Sequence, residues 1–201
     1  GERLMDFVTD DSLHVLTRLL VNAAVQFGVS GLGITSVCIL RKESFTRFGL
    51  HRENTIRAIL GTVLCFVPLL CYIVASGQFR GYRPFSTIVI TGDVLKSGLP
   101  LSALGMALIV AVWGFFEGFN YAVISEKINC RYSSENLWLD YGAITCGIIC
   151  VLFHPMVFTF WGILEMVTSF AAIYGMLLVK KRIGNAWGCV FAFCFIWNAI
   201  Y

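Results

Sequence analysis

Long apolar runs alternate with short polar connections along this chain. Six runs approach the twenty or so residues that an apolar helix needs to cross a bilayer: 15–40, 56–75, 99–124, 139–158, 159–179 and 186–201. They predict an all-α, polytopic membrane helix bundle of about six transmembrane helices, forming one integral membrane domain over residues 1–201. Between Tyr141 and Val179 the only charged residue is Glu165, so that stretch must turn once within itself, and the expected turn is at 158–162. Residues 77–98 are too short and too polar to cross and predict an outer loop with an interfacial or re-entrant piece. Gly28, Gly31 and Gly33 in the first run, and the Gly114/Gly118 pair in the third, predict close helix approach. Pro68 predicts a kink in the second run, and Pro100 suits the first turn of the third.

Composition strengthens the pattern. With 58% hydrophobic and only 13% charged residues in 201, the chain is too apolar for one water-soluble core. The net charge of +3 does not point to nucleic acid, because the basic residues lie between the runs and so report topology. Arg41, Lys42, Arg47, Arg52 and Arg57 flank the first connection, Lys127 and Arg131 the third, and Lys180, Lys181 and Arg182 the fifth. By the positive-inside rule, connections 1, 3 and 5 are expected in the cytoplasm of a multi-pass cell-membrane protein. The acidic start lacks a basic leader and reads as mature sequence. The first connection mixes basic with aromatic residues, which suits contact with anionic lipid headgroups, and His51 within it reads as a solvated surface residue. Tyr132 and Trp138 are expected at the interface, with Glu135 and Asp140 in water. The eight cysteines form no C-x-x-C pair; most read as small packing residues, including Cys146 and Cys150 on one helix face.

Polar residues inside the runs carry the candidate chemistry. Glu117 stands in the third run, and an acid at membrane depth costs about 2.5–3.5 kcal/mol on insertion scales, so it calls for a partner, a water pocket or a function. At about 1.5 Å rise per residue, Glu117 lies about 15 Å from Lys127, His154 about 16–20 Å from Asp140 and Asn198 about 18 Å from Ala186. Adjacent helices can therefore bring the three to one level. A carboxylate with an imidazole can activate water or hold a metal, and an amide can steady an oxyanion. A buried hydrogen-bond cluster that only fixes packing is the alternative. Asn120 and Tyr121 extend the candidate cluster, and Glu165 is a second intramembrane acid expected near the outer end of its helix.

In order and spacing, the last ninety or so residues resemble the CAAX protease and bacteriocin-processing (CPBP) family of intramembrane proteases. The segments are Phe-Glu-Gly-Phe-Asn-Tyr121, Cys150-Val-Leu-Phe-His154, and Lys181-Arg-Ile-Gly-Asn-Ala-Trp187 leading to Cys194-Phe-Ile-Trp-Asn198. The family pattern has E-E-x-x-x-R, F-x-x-x-H and H-x-x-x-N. By this resemblance Glu117 matches one of the paired glutamates, His154 the second-motif histidine and Asn198 the terminal asparagine, making these the candidate catalytic residues. The other glutamate is replaced by Phe116 or Gly118, the arginine by Tyr121 or Ala122, and the last histidine by Cys194. Glu117, His154 and Cys194 are then the only candidate ligands for a metal such as zinc, whose catalytic sites ordinarily take three protein ligands. The resemblance with its missing residues implies a degenerate member: a non-catalytic subunit or binder of a partner transmembrane helix or lipid. The alternative is an active endopeptidase using Glu117 and His154.

Overall fold

The structure, a computed structural model, describes residues 2–136, 138–153 and 157–200. It is all-helical, with a single isolated bridge, Tyr82 to Ile200, among the described residues. In chain order the helices are α1 (Glu2–Thr9), α2 (Val15–Ser30), α3 (Leu32–Arg41), α4 (Thr55–Ala75), α5 (Thr91–Lys96), α6 (Leu101–Arg131), α7 (Tyr141–Leu152), α8 (Phe160–Ile183) and α9 (Trp187–Trp197).

Three of these, α4, α6 and α8, are long and apolar enough to cross a membrane, and α2 with α3 makes a fourth if the bent pair counts as one span. The helices differ from the six apolar runs in instructive ways. The first run breaks by 55° at Gly31, where the Phe27 ring folds over the backbone and Phe116 closes from α6; a side chain there would collide with the Phe27 ring and crowd Phe116. Gly28 and Gly33 meet no neighbour. The third run extends to Arg131, because Glu126, Lys127 and Asn129 all find partners on other elements that keep this polar end helical. α7 has 12 residues and α9 has 11, each shorter than a bilayer crossing. The turn before α8 starts earlier than 158–162: α7 ends at Leu152, and Thr159 caps α8 by accepting from Gly162 N at 3.2 Å. The helix α4 continues through Pro68.

Small residues set the seams. Gly61 lies against Val179, Gly175 against Cys65, and Gly188 against the Ala58 carbonyl, so α4 packs tightly on both α8 and α9. The Gly114/Gly118 pair joins α6 to α9: a Cβ at Gly118 would come within 2.6 Å of the Cys189 carbonyl oxygen, and one at Gly114 would strike Cys194.

Connections 1, 3 and 5 gather at one end of the bundle. Lys127 bonds Glu43 at 2.7 Å, Lys180 pairs with Glu126, and Lys181 pairs with Asp140 at 3.1 Å. Two residues expected in water are structural here. Asp140 is fully buried; it caps α7 through Ala143 N at 2.7 Å and accepts twice from Asn129 Nδ2. His51 is half-buried and bonds the Gly184 carbonyl through Nε2 at 2.9 Å. Beside it the fully buried Asn185 donates to the carbonyls of His51 and Glu53, each at 2.8 Å, and accepts from Trp187 N. Gly49, at φ +98°, passes so close to this turn that a Cβ would sit 2.8 Å from the Gly184 oxygen.

This basic end is sensitive to acid. The Glu43 carboxyl is held below its usual range, first by the hydrogen bond from Lys127, against the opposing push of desolvation, and further by the Arg47 and Arg41 charges. A carboxylate with a depressed folded pKa contributes stability above its unfolded value, near 4.5 here, and loses it as pH falls through the folded value. Melting curves recorded from about pH 6 down to pH 3 should fall in that window, and Glu43→Gln should flatten the fall. An unchanged slope in the variant would remove Glu43 as the source.

At the other end, residues 77–98 fold back over the bundle. Arg83 N bonds the Ala199 carbonyl at 2.8 Å, Tyr82 Oη donates to the Phe195 carbonyl, and Phe85, Ile88 and Ile90 are buried. Arg18 ties the start of α2 to this end, pairing with Asp11 and Asp93.

Candidate functional site

A cavity of about 410 Å³ lies toward the end covered by residues 77–98. α2 contributes Gln26, α4 contributes Tyr72, α6 contributes Glu117, α8 contributes Glu165, and Asn198 follows directly on α9. The two intramembrane acids thus line one cavity, although they are far apart in sequence. Glu117 Oε2 accepts from Gln26 Nε2 at 3.2 Å, and Glu165 Oε2 accepts from Tyr72 Oη at 3.0 Å; Gln78 Nε2 in turn donates to Tyr72 Oη at 2.7 Å. Apolar wall is supplied by Leu69, Ile73 and Ile88, with Trp113 and Trp197 adding aromatic surface.

Asn198 sits between two widened, π-type helical turns, Val110–Phe116 in α6 and Phe193–Trp197 in α9. Such turns leave carbonyls poorly paired and recur at functional sites. Asn198 Nδ2 donates to the Trp113 carbonyl at 3.1 Å and to the Phe193 carbonyl at 3.0 Å, so both amide hydrogens serve the helices. Its Oδ1 accepts from Thr87 Oγ1 at 3.4 Å. The side chain pins the two wide turns together beneath the cavity.

Of the residues expected to converge, Glu117 and Asn198 line the same cavity; His154 lies outside the described residues. Cys194 is buried but does not line the cavity, because it packs on Gly114. Tyr121 stacks on Phe193 at 5.3 Å, and neither it nor Asn120 faces the cavity. Cys146 and Cys150 are buried free thiols, and Cys146 donates to the Tyr121 carbonyl. Among the described residues no three His, Cys, Asp or Glu side chains come together as a metal site would require.

Comparison with family models, with characterised proteins and with solved structures finds no match.

Gln26 is the wall residue the apolar pattern hid. Its signal was a polar stripe at i, i+4 in the first run, Arg18, Asn22, Gln26 and Ser30, which marks one helix face turned away from lipid. Glu165 and Ser169 repeat the spacing in α8, and both line the cavity.

Proposed function

We propose that this chain is a CPBP-like, six-span integral membrane protein with a degenerate active site. In this reading it is a non-catalytic subunit that holds a partner transmembrane helix or a lipid-like chain in the cavity. Connections 1, 3 and 5 then face the cytoplasm. The observation that carries the reading is the commitment of both Asn198 amide hydrogens to backbone carbonyls, which leaves none to steady an oxyanion. The mixed wall, with two carboxylates beside aromatic and aliphatic side chains, suits an amphiphilic occupant. Extraction in mild detergent followed by native mass spectrometry and metal analysis tests this. A stoichiometric partner or lipid without zinc is expected, and that occupant should be lost when Ser169→Trp fills the cavity. A lone chain carrying zinc would sink the proposal.

One observation favours a second reading, an endopeptidase using Glu117 and His154. Glu165 restores a second acid to the cavity wall, the element the resemblance lacks. Under this reading Glu117→Gln and Glu165→Gln each abolish cleavage of a transmembrane peptide in proteoliposomes. Cleavage that is absent from the unmodified chain, or unaffected by both variants, rules it out.

A further inference from the structure

The basic end of the bundle holds a second pocket, of about 400 Å³, between the end of α3 and the end of α6. Its lining includes Arg41, Arg47, Lys127 and Arg131 against one carboxylate, Glu43. These cations come from two connections some 85 residues apart in sequence, so the fold has assembled a cluster that the chain does not contain as a run. Glu43 is the organiser: its side chain is only 8% exposed and it holds Arg47 at 2.6 Å and Lys127 at 2.7 Å. The Lys127 ammonium also rests over the Phe48 ring, 5.1 Å from its centroid. Two of the four cations are thereby fixed in place by a single negative charge. Arg41 and Arg131 are exposed and make no ion pair among the described residues. The pocket therefore carries a surplus of three positive charges, two of them on planar guanidinium forks free to bind in a bidentate way.

The surroundings decide what kind of anion fits. Ile39 and Leu40, immediately before Arg41, are 70% and 83% exposed. Tyr132, immediately after Arg131, is also exposed, with the amphipathic ring that favours the membrane interface. A ligand bound between the two arginines thus has apolar surface beside it at the level where the helices leave the hydrocarbon. Basic pockets between helices at this level suit phospholipid headgroups. We propose that this pocket is a binding site for the phosphate of an anionic phospholipid, with Arg41 and Arg131 holding the phosphate, Glu43 orienting Lys127 and Arg47 at its edge, and Ile39 and Leu40 meeting an acyl chain. This site is separate from the Glu117 cavity and does not depend on what that cavity holds.

Lipid retention on the intact chain tests it. The protein is delipidated, then titrated with mixed micelles of phosphatidylglycerol or phosphatidylcholine and read by native mass spectrometry. The unmodified chain should prefer phosphatidylglycerol. Arg41→Gln with Arg131→Gln should reduce that preference by about tenfold or more, the scale set by the bidentate, charge-assisted bonds that the two guanidinium forks would lose. Arg52→Gln with Arg57→Gln removes the same charge from exposed cations outside the pocket, where only a salt-screened attraction at a distance is lost, and should reduce it by about threefold or less. Both double variants change exposed side chains that make no ion pair among the described residues, so equal melting temperatures should confirm that each is folded. Equal losses from the two pairs would overturn the proposal in favour of a diffuse basic surface. Displacement of the lipid by millimolar inorganic phosphate would overturn it in favour of a soluble phosphate ligand.

Discussion

Replacing Asp140 with Ala should lower the stability of the folded chain by about 2–4 kcal/mol, although the residue stands in a polar connection where substitutions are ordinarily tolerated. The expectation follows from what the carboxylate holds. It caps α7 at Ala143 N, a bond whose loss costs about 1 kcal/mol. It receives Asn129 Nδ2 on both oxygens, and Asn129 Oδ1 accepts from Gly142 N, so one network fixes where α7 begins relative to α6. It also pairs with Lys181 at the end of α8. Breaking a fully buried pair by removing one partner can cost about 3–5 kcal/mol, but Lys181 is about one-third exposed and can turn to water, which lowers the figure. Asp140→Asn keeps the cap and loses the charge, so it should fall between Ala and the unmodified chain. Glu135→Ala, at an exposed position in the same connection, should change stability by about 0.5 kcal/mol or less. Unfolding in mixed detergent micelles, followed by tryptophan fluorescence, gives the ordering. Equal stability of Asp140→Ala and Glu135→Ala would mean that the Asp140 network is not holding the three helices.

The same residue shows where sequence reading stops. Apolar runs are legible because burial in hydrocarbon is a property of each side chain, so an all-helical membrane bundle follows from composition and run length alone. Asp140 and His51 are not legible in that way. Their worth comes from partners elsewhere, Lys181 forty-one residues on and the Gly184 carbonyl at the far end of α8, and a polar residue in a polar connection looks the same whether or not those partners exist. Helix ends fail for the same reason: α6 runs past the apolar segment because Glu43 and Lys180 neutralise its last polar turns. At the Gly31 bend the Phe116 ring of another helix closes in beside Phe27, and α7 and α9 stop short of the apolar runs that contain them, neither of which the run pattern marks. At the cavity, Glu117 and Asn198 stood out because each is polar within an apolar run. Their common level could be reckoned from helical rise, and they do line one space. Which way Asn198 spends its hydrogens could not be reckoned, because the wide turns that need them are absent from any periodic pattern.

Those wide turns make Asn198 the second position where a single change should have a large effect. Removing its amide leaves the Trp113 and Phe193 carbonyls without this donor in a site that is 6% exposed, and each unsatisfied group costs about 1–3 kcal/mol. Asn198→Ala should therefore destabilise the chain by about 2–5 kcal/mol, the lower figure applying if water enters from the cavity. Asn198→Asp should be worse, because it turns an acceptor toward two acceptors and adds a charge costing about 2.5–3.5 kcal/mol at membrane depth. Asn198→Gln retains the amide, but its extra methylene must fit between α6 and α9 where Gly114 already touches Cys194; partial recovery is the most it should give. Unfolding in mixed micelles should thus rank the chain in the order Asn198, Gln, Ala, Asp. A catalytic amide would behave differently: Asn198→Ala would then keep the stability of the unmodified chain and lose only peptide cleavage. That outcome would return Asn198 to the chemistry of the cavity and remove the observation on which the non-catalytic reading rests.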